Sequence, residues 1–131
     1  MSPEIPREWF DIAEDHARSA RVILEHAEGR STVAFLLHEA AEKALKGFLI
    51  GAGWELSKTH VLPFLSEEAA RKDARFGGAH AELCARIDGY LAVRYPPFPQ
   101  VPATSAELLA DLAAVEALIM LARQAAKERL G

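Results

Sequence analysis

The sequence predicts an all-α protein, an up-and-down four-helix bundle whose third helix is broken, giving four to five helices. Half of the 131 residues are hydrophobic, and Ala, Leu and Glu are abundant while β-branched residues are few. Apolar residues also recur at steps of three and four along most of the chain. Short connections favour antiparallel neighbours. The length suits one domain, which we assign to residues 1–131.

Composition and charge exclude several classes of protein. With 26% charged residues and 50% hydrophobic ones, the chain is not disordered. The one cysteine, Cys84, excludes a disulfide framework, and its apolar neighbours predict a core residue. The net charge of −4 gives no general basic field, so any anion site must be local. No signal peptide or membrane span is visible, so we expect a cytoplasmic protein without membrane contact.

The first helix is predicted from about residue 7 to residue 27. Pro6 precedes it and suits a first helical turn. Ser31 is then expected to cap the second helix. The apolar line of the first helix consists of Trp9, Ala13, Ala17, Ala20, Ile23 or Leu24, and Ala27.

The second helix, over residues 32–50, is the centre of the predicted bundle, because its apolar residues cover more than one stripe. Two acid-to-lysine pairs at a spacing of four interrupt it, Glu39 with Lys43 and Glu42 with Lys46. One interpretation is a solvated strip, in which each pair stabilises by about 0.3–0.5 kcal/mol. In the other, Glu42 and Lys43, which lie in an apolar run, are partly covered and then need partners.

A short polar loop follows the second helix, which Gly51 or Gly53 is expected to end. The loop brings Lys58 and His60 within three residues of each other. Both side chains offer hydrogen-bond donors, so the pair is a candidate phosphate site. The alternative is an ordinary solvated loop, or a histidine that caps the next helix.

The third helix is predicted to start at Ser66 as its N-cap and to be interrupted at Gly77 and Gly78. It resumes over residues 79–92. Four prolines in residues 94–102 then predict a rigid extended connection, which places Arg94 and Tyr95 just beyond a helix end.

A capping box predicts where the last helix starts, with Thr104 and Glu107 as its two members. Leu36, Ile50 and Met120 are expected on the surface, where they indicate contact with a partner. The buried side of the last helix is predicted to consist of Leu108, Leu112, Val115, Ile119, Ala122 and Ala126.

Three blocks of sequence together resemble one family. They are residues 39–46 (EAAEKALK), residues 58–62 (KTHVL) and residues 94–96 (RYP), and their order and spacing are similar to those of the HEPN domain family (higher eukaryotes and prokaryotes nucleotide-binding domain). The resemblance covers nearly the whole chain. It implies a helical bundle that forms a homodimer and has a role connected with nucleotides or RNA. It also implies a possible partner, a separately encoded minimal nucleotidyltransferase of a toxin–antitoxin pair.

Active members of that family are metal-independent endoribonucleases with an Arg-x4-6-His motif, in which Arg holds the scissile phosphate and His moves protons. This chain departs from the motif, because Pro99, Gln100 and Val101 stand where the histidine should follow Arg94. Two other Arg-x4-His spacings lie elsewhere, Arg21 to His26 and Arg75 to His80. Two smaller departures are Glu39 in place of the family's common Gln, and Val61 in place of its common Asp.

The resulting hypothesis is a non-catalytic module that binds a nucleotide or phosphate, acts as an interaction subunit, or does both, with no cofactor. Its candidate contacts are Lys43, Lys58, His60, Arg94 and Tyr95, the last as a stacking surface. Structural roles for these residues are the competing interpretation. A non-standard endoribonuclease, with Arg94 and His60 brought together by the fold, is a further alternative. A carboxylate-bridged metal bundle is excluded, because the chain has no Glu-x-x-His pair.

Overall fold

The computed structural model describes residues 5–26, 29–55, 59–92 and 103–130. These residues form five α-helices and one 3-10 turn and contain no strand, which confirms the all-α prediction. None of the described helices is long and apolar enough to cross a membrane. The elements are α1 (Ile5–His26), α2 (Arg30–Gly51), α3 (Leu62–Lys72), the 3-10 turn (Ala74–Phe76), α4 (Ala79–Ala92) and α5 (Ser105–Leu130).

Helix α2 is the centre of the bundle, as its sequence predicts. It packs against all four other α-helices, and most of its circumference is buried. Its closest neighbour is α1, because Gly47 has no side chain to hold the two helices apart. A Cβ atom on Gly47 would lie 2.7 Å from the ring of Phe10 and 2.8 Å from Cβ of Trp9. Phe10 rather than Trp9 is the buried aromatic of α1.

Two predicted helix caps are wrong. Helix α2 begins at Arg30, with Gly29 as N-cap and Ser31 already inside the helix. Helix α3 begins at Leu62, four residues before Ser66, which is buried within it. The apolar side chains of Leu62 and Leu65 reach the core only if the helix starts early, so tertiary packing extends it beyond the capping signal.

Other local predictions are confirmed. Helix α2 ends in a Schellman motif, in which Gly53 has a φ of 92° and Trp54 N–H donates to the Leu49 carbonyl over 2.9 Å. The capping box of α5 forms in both directions: Thr104 N–H donates to the Glu107 carboxylate (2.9 Å) and Glu107 N–H donates to Thr104 Oγ1 (3.1 Å). The predicted buried side of α5 is buried at all six positions.

Of the three residues that were expected on the surface, one is exposed and two are not. Met120 is 72% exposed, as expected. Ile50 is buried, and Leu36 is half-buried against the core, so both predictions of exposure are wrong. Both residues lie on α2, and this helix has neighbours on so many sides that little of it is left for solvent. Cys84 is buried, as predicted, and burial raises the pKa of its thiol to about 11.

Candidate functional site

A buried carboxylate, Glu42, lies at the centre of the candidate site. Its side chain is only 3% exposed and accepts hydrogen bonds from a lysine and a histidine side chain. Lys46, one turn further along α2, donates from Nζ over 3.0 Å and is itself buried. His60, in the connection before α3, donates from Nδ1 over 2.9 Å and 3.0 Å to the two carboxylate oxygens. Unlike the other two, the His60 side chain is 70% exposed.

The electrostatics of this group keep Glu42 ionised. Burial on its own raises the pKa of the Glu42 carboxyl, but hydrogen bonds from Lys46 and His60 outweigh burial and hold that pKa below its ordinary value. An ionised carboxylate can only accept hydrogen bonds. His60 must therefore carry its proton on Nδ1, and in the neutral ring the lone pair is on Nε2.

A second carboxylate fixes the same connection from α4. Asp88 Oδ1 accepts from the backbone N–H of Leu62 over 3.1 Å and from Nε2 of the buried His38, also over 3.1 Å. His38 Nδ1 in turn lies 3.9 Å from Glu42 Oε1, an ion-pair distance that is too long for a hydrogen bond. The segment 60–62 is thus held at two points, at its imidazole by α2 and at its backbone by α4.

Lys43 joins the group from the outer side of α2. Its Nζ donates to Glu39 over 2.9 Å and lies 3.8 Å from Glu42 Oε2. The side chains of Lys43 and Glu39 are about one-quarter exposed, so this pair lies at the edge of the buried cluster. Lys43 and His60 therefore share one carboxylate.

Two of the five predicted site residues, Lys43 and His60, are brought together in this way. Lys58, Arg94 and Tyr95 lie outside the residues that the structure describes. Sequence reasoning predicted that Glu42, in an apolar run, would need partners if it were covered, and placed it in a helical ion pair with Lys46. It did not connect Glu42 with His60, because no local pattern joins residues 18 positions apart.

In each of the two other Arg-x4-His spacings, the arginine has a structural role. Arg21 donates to Glu116 of α5 over 2.7 Å, which ties α1 to α5. Arg75 donates to Asp73 and to Glu128 of α5. Both guanidinium groups are thus occupied by carboxylates, an arrangement that leaves them poorly suited to hold a phosphate.

A separate buried carboxylate, Asp111, joins α4 to α5. It accepts from Tyr90 Oη over 2.7 Å and from two guanidinium nitrogens of Arg86 over 2.8 Å and 3.0 Å. Burial, and next the hydrogen bond to Asp111, raise the pKa of Tyr90 to about 12. The polar side chains of this cluster have their hydrogen-bond partners within it, so the role of the cluster is to hold α4 and α5 together.

The described residues contain no group of three or more His, Cys, Asp or Glu side chains that could hold a metal ion. What the site offers is a fixed imidazole with an ammonium group on the same carboxylate. Such an arrangement can donate to an anion, accept a proton or act as a nucleophile.

The family model for the HEPN domain matches residues 6–127. No protein of curated function matches the chain. The matched range includes every helix of the bundle except the first residue of α1 and the last turn of α5.

Proposed function

The chain belongs to the HEPN domain family, and on that premise we propose that it is a non-catalytic member that binds the phosphate of a nucleotide beside Lys43 and His60. A HEPN domain is a nucleotide-binding or RNase-type module. The observation that carries the proposal is the His60 imidazole, 70% exposed yet held at Nδ1 by the buried Glu42.

The geometry favours His60 as the main phosphate contact. When the ring takes a second proton, Nε2–H donates to a phosphate oxygen while Nδ1–H stays on Glu42, so the donor is already oriented before the ligand arrives. Lys43 adds positive charge on the same carboxylate, although Glu39 offsets part of it. Lys58 and Arg94 extend the proposal as further phosphate contacts, with Tyr95 as a surface on which the base stacks.

The test is a thermal-shift screen with ATP, GTP, their diphosphates and short single-stranded RNA. A ligand at 100 times its Kd should stabilise the wild type by about 2.7 kcal/mol. We expect the shift to be lost in His60→Gln and in Arg94→Ala and reduced in Lys43→Met. His26→Gln is the matched control, because His26 is equally exposed on α1 (72%) and lies outside the site. No shift with any ligand contradicts the proposal, as does an undiminished shift in His60→Gln.

One observation also favours the endoribonuclease alternative. A histidine fixed by a buried carboxylate is suited to proton transfer, and Arg94 would supply the phosphate contact. The same screen separates the two functions, because RNA recovered from the samples is analysed on a gel. If the wild type cleaves the RNA and His60→Gln does not, the function is catalytic rather than binding alone.

We extend the proposal to partners, namely a second copy of the chain and a separately encoded minimal nucleotidyltransferase. The supporting observation is a set of large apolar side chains left on the surface. Met120 is 72% exposed, Val22 57% and Val61 49%. Light scattering on the screened samples measures their molecular mass, and a mass of twice that of the chain would support the homodimer.

A further inference from the structure

The second ring nitrogen of His60 has no assigned role in the absence of ligand. Since Nδ1–H donates to both oxygens of Glu42, the neutral ring carries its lone pair on Nε2. Among the described residues, no hydrogen-bond partner occupies Nε2. With 70% of the side chain exposed, this nitrogen is open to a reagent from solvent.

The other described histidines lack this combination. His26 is 72% exposed, but its nearest carboxylate, Glu25, lies 3.8 Å away and is half-exposed. His38 has a carboxylate partner, Asp88, but only 4% of its side chain is exposed. His16 and His80 are half-buried and donate to no carboxylate within the described residues. His60 alone among them has both an accessible nitrogen and a buried carboxylate on the opposite one.

We propose that Nε2 of His60 is a phosphoryl-acceptor site, modified by a donor of the phosphoanhydride class such as a nucleoside triphosphate. The Nε2 lone pair attacks the terminal phosphorus, and the N–P bond forms as the P–O bond to the leaving diphosphate breaks. The electron pair of that bond leaves with the diphosphate oxygen. The ring keeps its Nδ1 proton and becomes positively charged, and the Glu42 carboxylate at 2.9 Å offsets that charge.

The exposure of His60 favours transfer from an external donor over acid–base chemistry in an enclosed site. Attack on phosphorus requires that the donor approach Nε2 with its leaving oxygen on the far side of the phosphorus, and a side chain that is 70% exposed leaves room for that approach. The inference goes beyond the proposed nucleotide binding and does not require it, because a small donor can reach Nε2 without a binding site.

The experiment uses potassium phosphoramidate, a small chemical phosphoryl donor for imidazoles, on the full chain. Wild type, His60→Gln and His26→Gln are sampled over time by intact mass, and the modified residue is located by fragmentation. We expect one phosphoryl group to add to the wild type in a fast phase, stable in alkali and labile in acid. Labelling at His60 should be about tenfold faster than at His26. The fast phase should be absent in His60→Gln and unchanged in His26→Gln.

Two further measurements isolate the contribution of Glu42. In Glu42→Gln, labelling of His60 should slow to about the rate of His26, because the neutral amide does not offset the charge on the ring. If that variant does not fold, nitrogen-15 NMR of the wild-type imidazole replaces it and should show a protonated Nδ1 and a bare Nε2. Equal labelling of His60 and His26, or a proton on Nε2 of the neutral ring, overturns the proposal. Both outcomes are independent of whether any nucleotide binds in the thermal-shift screen.

Discussion

At the scale of single residues, burial distinguishes the ion pair of Glu42 and Lys46 from its neighbour, whereas helical spacing does not. Both side chains are at most 5% exposed, and their atoms lie 3.0 Å apart. The neighbouring pair, Glu39 with Lys43, has the same spacing and a similar distance, but each side chain is about one-quarter exposed. The same sequence pattern therefore produces a buried ion pair and a partly exposed one within about two turns of α2.

We predict that Glu42→Gln destabilises the protein by about 3–5 kcal/mol, because it leaves the ammonium group of Lys46 buried without a counter-charge. The matched change Glu39→Gln, in a partly exposed pair, should cost no more than about 1 kcal/mol. The double variant Glu42→Gln/Lys46→Met should recover most of the loss, since it removes both charges. Free energies of unfolding in urea provide the measurement. Equal costs at Glu42 and Glu39 would contradict the prediction.

The difference between the two pairs could not be predicted from the sequence. The spacing of four identifies both pairs, but burial depends on which face of α2 the other helices cover. Glu42 is buried where His60 and Lys46 supply donors, and these partners come from a loop 18 residues away and from the same helix. Sequence reasoning did select His60 and Lys43 as candidates, and the structure brings both to the Glu42 carboxylate.

At the scale of elements, the close approach of α1 and α2 depends on Gly47. A Cβ atom there would meet the Phe10 ring and Cβ of Trp9 at distances that real Cβ atoms do not show. The Trp9 atom is close to the backbone, so α1 must shift as a whole to make room. We predict that Gly47→Ala destabilises by about 1–3 kcal/mol through overpacking, despite the better helix propensity of alanine.

Gly89, in the last turn of α4, is the control for this prediction. It is exposed, and a Cβ atom there would meet nothing within 4 Å. Gly89→Ala should therefore stabilise by up to about 1 kcal/mol, the ordinary gain from helix propensity. Urea unfolding of both variants tests the pair of changes, and a stabilised Gly47→Ala would show that α1 and α2 are not held together at this point.

Helix starts show where local sequence signals are sufficient. The capping box at Thr104 and Glu107 is local, so the sequence predicts it correctly. The start of α3 is fixed by Asp88 of α4, which accepts from Leu62 N–H across 26 residues. The nearest local signal, Ser66, predicts an N-cap five residues too late, because a cap that comes from another helix leaves no pattern beside the helix that it caps.

At the scale of the whole molecule, the bundle has a cluster of titratable side chains beside its apolar core. Helix α2 supplies His38, Glu42 and Lys46, and its neighbours supply His60 and Asp88. Because the cluster links α2 to α4 and to the start of α3, its charge state affects how these elements pack. The stability of the bundle should therefore depend on pH through this cluster.

We predict a loss of stability in acid that is specific to Glu42. The folded state holds the pKa of Glu42 below its ordinary value, so the unfolded chain takes up the proton first as pH falls. The contribution is complete above about pH 4.3, the ordinary pKa of glutamate, and is lost as pH falls from there through the folded-state pKa. The pKa values of Asp73, Glu107 and Glu128 are also lowered, but by exposed or partly exposed contacts.

Salt separates the buried contribution from the exposed ones. Unfolding free energies are measured in urea from pH 7 to pH 3 at low and high ionic strength, for wild type and for Glu42→Gln/Lys46→Met. Salt should weaken the contributions of Asp73 and Glu128, because their shared partner Arg75 is about half-exposed, and should leave that of Glu42 largely intact. The contribution of Glu107 comes from hydrogen bonds to Thr104 and is common to both proteins. The wild type should therefore keep a steeper loss below pH 4.3 than the double variant at high salt. Parallel curves for the two proteins would mean that the charge of Glu42 does not contribute to the acid sensitivity of the fold.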